Sequence, residues 1–95
     1  MKIRWTRRAL ADLKRITERI AKDKPAVAAE FVQSVSEKVG LLGEFPLLGR
    51  IGAYQDTREL VVHKNHIVTY RMRGDELEVL QVWHVARDIR RGGHR

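Results

Sequence analysis

The chain contains no cysteine. That excludes a disulfide framework and a thiolate metal site, and it fits a reducing cytoplasm. No apolar run approaches the roughly 18 residues of a membrane-spanning helix, and no N-terminal stretch reads as a secretory signal. There is no internal repeat and no low-complexity segment. Familiar chemical signatures are missing too. The histidines form no HxxxH pair, and no acidic cluster stands beside His63 and His66, so no metal site is expected. Ser34 and Ser36 fall in a predicted helix with no GxSxG elbow. Gly49 and Gly52 are not followed by the Lys-Ser/Thr of a phosphate loop. No cofactor is expected.

What is present describes one folded domain over residues 1–95. Hydrophobic residues make up 43% and charged residues 33% of the chain, a globular rather than a disordered balance. The net charge is +7, unevenly placed. Residues 1–24 carry nine basic against three acidic side chains, residues 25–57 two against four, and residues 58–95 eight against five. Basic charge thus sits on the first helix and on the C-terminal stretch. Such a surface draws a polyanion or an acidic protein.

Hydrophobic spacing gives the elements. Ile3 and Trp5 alternate with Lys2, Arg4 and Thr6, a strand pattern, and Thr6 is a suitable N-cap. Ala9, Leu13, Ile16 and Ile20 predict an amphipathic helix over 7–22. Pro25 suits a first helical position, and Ala28, Phe31, Val35, Val39 and Leu42 predict a second helix over 26–42, with Gly43 as its C′ residue. The short linker folds the two into a hairpin. Residues 44–56 form a loop that Phe45, Leu47 and Leu48 are expected to pin to the core. Strands follow at 57–63, 66–73 and 76–84, with turns at Lys64-Asn65 and Gly74-Asp75. The expected fold is α+β, in the order β-α-α-β-β-β, with the helical hairpin on one face of a small, mainly antiparallel sheet. Leu60, Val61 and Val62, Ile67 and Val68, and Val79, Leu80, Val82 and Trp83 leave both faces partly apolar. Two helices cover one face, so a partner is expected on the other. Residues 89–95 read as a flexible basic tail.

The residues with chemical capacity are Arg58, Arg71, Arg73, His84 and Arg87, around the last three strands. Arginine forks hold phosphate, and a histidine near neutrality moves protons. Arg58, Arg71, His84 and Arg87 are therefore candidates for metal-free cleavage of RNA by its own 2′-hydroxyl. The alternative is that they are surface residues paired with Glu59, Glu76, Glu78 and Asp88. Arg58, Arg71, Arg73, Trp83, His84, Arg87, Arg90 and Arg91 are equally candidates for holding a target or partner. Tyr70 shares its alternation phase with Val68 and Met72 and is expected in the core.

The segments IRWTRRALADL, EFPLLGR, TRELVV, TYRMRGDELEVL and VWHVARD, in this order, resemble the RelE/ParE superfamily of toxins from bacterial type II toxin–antitoxin systems. The resemblance implies a cytoplasmic, growth-inhibiting toxin with a cognate antitoxin, whose C-terminal segment wraps it. It reaches operator DNA only through that antitoxin, and no membrane is involved. RelE-like members cut mRNA on the ribosome; ParE-like members poison DNA gyrase. RelE-like members carry an arginine three positions before the tyrosine that matches Tyr70; here that position is Ile67. Arg87 matches the basic residue after the last strand, and the usual terminal aromatic is missing. The resemblance therefore implies a ParE-like gyrase poison first, a ribosome-dependent mRNA interferase second, and an inactive interaction module third.

Overall fold

The structure, a computed structural model, describes residues 1–88. The expected tail, with Arg90 and Arg91, lies outside the described residues. The elements are β1 (Lys2–Trp5), α1 (Arg7–Asp23), α2 (Pro25–Leu41), β2 (Arg50–Ile51), β3 (Arg58–His63), β4 (His66–Arg73) and β5 (Glu76–His84). They form a five-stranded sheet in the order β1-β5-β4-β3-β2, with β1 parallel to β5 and the other pairs antiparallel. The α+β architecture and the helical hairpin on the sheet are as expected.

Local chemistry fixes the helix ends. The Thr6 hydroxyl accepts from Ala9 N at 3.2 Å and so caps α1. Pro25 opens α2, where its missing N–H leaves no helical bond unmade. Gly43 does not take the left-handed cap conformation. It serves close approach instead, because a Cβ there would lie 3.3 Å from the Met1 carbonyl. In the β3–β4 turn the positive φ falls on Lys64 (33°), not on Asn65, whose carbonyl accepts from Val85 N. The core between helices and sheet holds Ala9, Ile16, Phe31, Val35, Val39, Leu42, Val62, Val68, Tyr70, Leu77, Val79 and Val82.

Strand β5 is central over its first half and an edge over its second. β1 pairs only as far as Trp5 opposite Val79. Beyond that point β5 would expose backbone groups that a buried strand must satisfy. Side chains replace the missing strand. Val79 O accepts from the Thr6 backbone N–H at 3.1 Å and from its hydroxyl at 2.8 Å, Asp12 Oδ2 accepts from Val82 N at 3.1 Å, and Asp88 Oδ2 accepts from His84 N at 2.8 Å. Asp12 is buried within α1 and is also ion-paired to Arg8 (3.4 Å) and Arg15 (3.3 Å).

Two register shifts decide which side chains share a face. Thr69 pairs with Gln81 but Tyr70 with Val79, so Leu80 is an extra residue in β5. The bulge turns Val79 and Val82, three residues apart, both toward the helices. Val62 is a second extra residue, in β3, and it brings Val62 and His63 to the helix side together.

Replacing Asp12 with alanine leaves the buried Val82 N–H without its acceptor, and the expected loss is about 2–3 kcal/mol in urea unfolding. Arg8→Ala removes only an exposed ion-pair partner and costs less than about 1 kcal/mol. Equal losses for the two variants would mean that Asp12 acts through its ion pairs alone.

Candidate functional site

The sheet face away from the helices is less apolar than its sequence suggests. One row across it is Val61, Ile67 and Trp83; the next is Glu59, Thr69 and Gln81; the next is Arg71 and Glu78. Ile67 and Trp83 are only 3% and 2% exposed, and the Trp83 indole donates to Thr69 Oγ1 at 3.0 Å. Only Val61, at the edge of that row, is exposed (51%), so the far face is not broadly open and apolar, and Trp83 is not presented on it in the free chain.

Arg71 Nε donates to Glu78 Oε1 at 2.8 Å, Arg73 lies 3.9 Å from the same oxygen, and Arg4 binds the other oxygen of that carboxylate. Arg50 pairs with Glu59 at 3.2 Å. Glu59 and Glu78 are buried, whereas the guanidinium ends above them are largely exposed. The carboxylates lie beneath and the cations face water. The surface reading of Arg71 and Arg73, with Glu78 as partner, describes their geometry.

Arg58 is held elsewhere. It falls opposite Tyr70, in the helix-side phase, and its Nη1 donates to Gly49 O (2.8 Å) and Leu47 O (3.4 Å). Tyr70, fully buried as expected, donates its hydroxyl proton to Pro46 O (2.7 Å) and accepts from Gly49 N (2.9 Å). Burial raises the Tyr70 pKa, against the Gly49 bond and the Arg58 charge, so the phenol stays protonated and donating. These polar bonds, not the loop's hydrophobic residues, pin residues 46–49. Phe45, Leu47, Leu48 and Ile51 are 56%, 62%, 49% and 79% exposed, which corrects the expectation that the first three anchor the loop.

His84 stands at the opposite end of the sheet. It pairs with His66, and Arg71 pairs with Glu78. β4 alternates without interruption from His66 to Arg71, so these two lie on opposite faces, roughly 17 Å apart along the strand. Arg71 and Arg73 therefore share no site with His84. Arg87 does lie near it: its backbone N–H donates to His84 Nδ1 at 3.1 Å, as does that of Ala86. Both bonds require Nδ1 to be an unprotonated acceptor. Burial, then Arg87, lowers the His84 pKa in the same sense.

His63 and His66 gather at this end around Phe31, with His84 against His66. The His66 ring lies 4.8 Å from that of Phe31 and 4.9 Å from that of His84. No cluster able to hold a metal ion occurs among the described residues. Burial first, then His84 and His63, push the His66 pKa down to about 4, against Asp88. Asp12, the bulge at Leu80 and the short β2 strand escaped the sequence reading. An acidic residue on the apolar side of the α1 spacing was the available signal for Asp12.

Above pH 6.5 neither folded nor unfolded chain protonates His66. As pH falls from 6.5 to about 4 the unfolded chain takes up a proton that the folded chain refuses, so stability declines. The expected loss is on the order of 2–3 kcal/mol over that window, with His84 adding in the same direction. His66→Leu should flatten this limb in a series of denaturation curves; an unchanged slope would refute the assignment.

The chain matches the family model of the ParE toxin of type II toxin–antitoxin systems over residues 3–89. It is 43% identical to the Sinorhizobium fredii toxin-class protein Y4kP over 84 residues, covering 87% of this chain and 86% of that one. It is 32% identical to toxin RelE2 of Caulobacter vibrioides over 83 residues, covering 87% and 93%. Among solved structures, one of the chromosomal ParDE toxin–antitoxin system of P. aeruginosa superposes with a TM-score of 0.80 at 28% identity, covering 90% of this chain and 96% of that one. A YoeB/ParE toxin from Agrobacterium tumefaciens shares the fold at a TM-score of 0.62, with 21% identity and coverages of 88% and 98%. A capped helical hairpin on a bulged five-stranded sheet, matched along nearly its whole length, places this chain in the ParE toxin family of type II toxin–antitoxin systems.

Proposed function

We propose that this toxin acts by binding, as a poison of DNA gyrase, and not by cutting RNA. The observation that carries the reading is the separation of Arg71 from His84, on opposite faces and at opposite ends of the sheet. Cleavage through the 2′-hydroxyl needs a base, an acid and phosphate-holding cations within hydrogen-bond reach of one phosphate. Arg58 is engaged with loop carbonyls, Arg71 with Glu78, and His84 Nδ1 with two backbone N–H groups. Ile67, at the position where RelE-like members carry an arginine, is buried beside Trp83. The likeness to toxin RelE2 makes ribosome-dependent mRNA cleavage the second reading.

Membership of the family brings a cognate antitoxin. Its C-terminal segment, in this proposal, occupies the concave groove lined by Ile3, Trp5, Leu10, Leu13, Val32 and Val39, between the helices and β1. A groove of this shape takes the apolar face of a helical segment, and the basic α1 beside it favours an acidic one. Operator DNA is contacted through the antitoxin. The place of action is the cytoplasm; no described helix is long and apolar enough to cross a membrane.

Purified toxin should inhibit ATP-dependent supercoiling of relaxed plasmid by gyrase and accumulate cleaved DNA on detergent and protease treatment, while translation of a reporter mRNA in a cell-free system continues. Normal supercoiling at saturating toxin would overturn the proposal. Loss of a general acid or base lowers a rate by about 10²–10⁴. His84→Ala should instead reduce toxicity by no more than about tenfold, the scale of one lost surface contact.

A further inference from the structure

The segment from His84 to Asp88 is a turn closed on itself. Asp88 N donates to His84 O at 2.9 Å, and Asp88 Oδ2 accepts from His84 N at 2.8 Å. The amides of Ala86 and Arg87 lie within it, where the first N–H groups of a helical turn have no backbone acceptor. His84 Nδ1 accepts from both, each at 3.1 Å. Val85 N donates to Asn65 O at 2.8 Å and ties the turn to the β3–β4 connection. The pattern is a reciprocal cap: a side chain at the start accepts from amides ahead, and a later side chain accepts from the amide at the start. An imidazole here takes the place usually filled by serine, threonine, aspartate or asparagine.

The turn presents Arg87. Ala86 and Arg87 are exposed, so water alone would satisfy their amides. The imidazole bonds therefore fix a conformation more than they stabilise the fold. Arg58 is bound to loop carbonyls, and Arg71 and Arg73 to Glu78. Among the described residues, no hydrogen bond or ion pair engages the Arg87 guanidinium. It is a cation still available to an incoming anionic group, on a backbone ordered before contact, and that lowers the entropy lost on binding. The cap persists only while Nδ1 is unprotonated. Facing the ring are His66 of β4, with His63 of β3 behind it, Arg19 of α1, and Arg87 and Asp88 of its own segment; α2 contributes Phe31, against His66. Burial first, then Arg87, lower the His84 pKa, against Asp88, so the cap is in place at neutral pH.

We propose that His84 is a positioning residue, whose Nδ1 fixes the turn that directs Arg87 toward the target and which acts on that target only through Arg87; the assignment rests on the gyrase reading above. Imidazole nitrogen shifts of the full wild-type chain at neutral pH should show the proton on Nε2 and a bare Nδ1. The Ala86 and Arg87 amide resonances should move together with the His84 titration, at a midpoint below the ordinary 6.5. A proton on Nδ1, or amides that ignore the titration, would overturn the proposal. Asparagine carries an oxygen at the reach of Nδ1, whereas glutamine carries it one bond further, at the reach of Nε2. His84→Gln and Arg87→Ala should each raise the concentration giving half-inhibition of supercoiling by about five- to tenfold. His84→Asn should rescue what His84→Gln loses, and His84→Gln combined with Arg87→Ala should be no weaker than either alone. Equal losses for the asparagine and glutamine variants, or additive losses in the double variant, would mean that the ring acts by itself and would sink the proposal. Circular dichroism melting checks that each variant is folded. Should His84→Gln unfold, the asparagine variant and the wild-type resonances decide. Failure of wild type to inhibit gyrase would remove the gyrase reading alone, and growth arrest on induction of the same four variants would then decide the role of His84.

Discussion

The backbone of β5 beyond Val79 is the constraint from which much of this structure follows. A strand in the middle of a domain must pair both of its edges, and here one neighbour stops at Trp5. Thr6, Asp12 and Asp88 finish the ladder with a hydroxyl and two carboxylates. Each has a second task. Thr6 caps α1, so the chain leaves β1 and enters the helix at one fixed point. Asp12 ties the first half of α1 to the strand, which sets how the hairpin lies on the sheet. Asp88 holds the residues after β5 against its end, beside His84. The extra residue Leu80 lies in the same stretch, and the distribution of side chains between the two faces follows from it.

The regular elements were legible because their signals are local. Intervals of three and four marked both helices, Thr6 and Pro25 marked their starts, and β4 and β5 took the bounds that alternation assigns. What escaped was decided by contacts distant in sequence. β2 has two residues, too few to show a period, and exists because Arg50 and Ile51 pair with Glu59 and Arg58. The bulges at Val62 and Leu80 break the alternation without any distinguishing residue type, so strict alternation misassigns the faces around them. Phe45, Leu47 and Leu48 looked like anchors because apolar residues usually are. The actual anchor is Tyr70, identified as core by its phase, while its hydroxyl partners in another part of the chain were invisible. The candidate site was legible as a set of residues and not as a place. Arg58, Arg71, Arg73 and His84 occur within one sheet, and only the register separates them.

The electrostatics have a layered form. Glu59 and Glu78 are buried carboxylates, and burying a charge is unfavourable unless it is paired. Arg50 covers the first; Arg4, Arg71 and Arg73 share the second. Removing Glu78 would therefore unsettle three arginines at once, on β1 and β4. The arrangement also tempers part of the repulsion in a chain of net charge +7. On this face Arg4, Arg50, Arg71 and Arg73 are neutralised from below and hydrated from above, so repulsion among them is damped while the field seen by an approaching molecule stays positive.

Gly49 divides the loop into two parts with different tolerance for change. Where the loop meets Tyr70 and Glu59 there is no room for one more carbon atom. At Leu47, Leu48 and Ile51, a few residues to either side, the side chains extend into open solvent. Substitutions at these tips leave the clamp untouched, so one scaffold can carry many different tips. Mutation can thus vary the surface this loop shows to solvent without reopening the question of whether the chain folds.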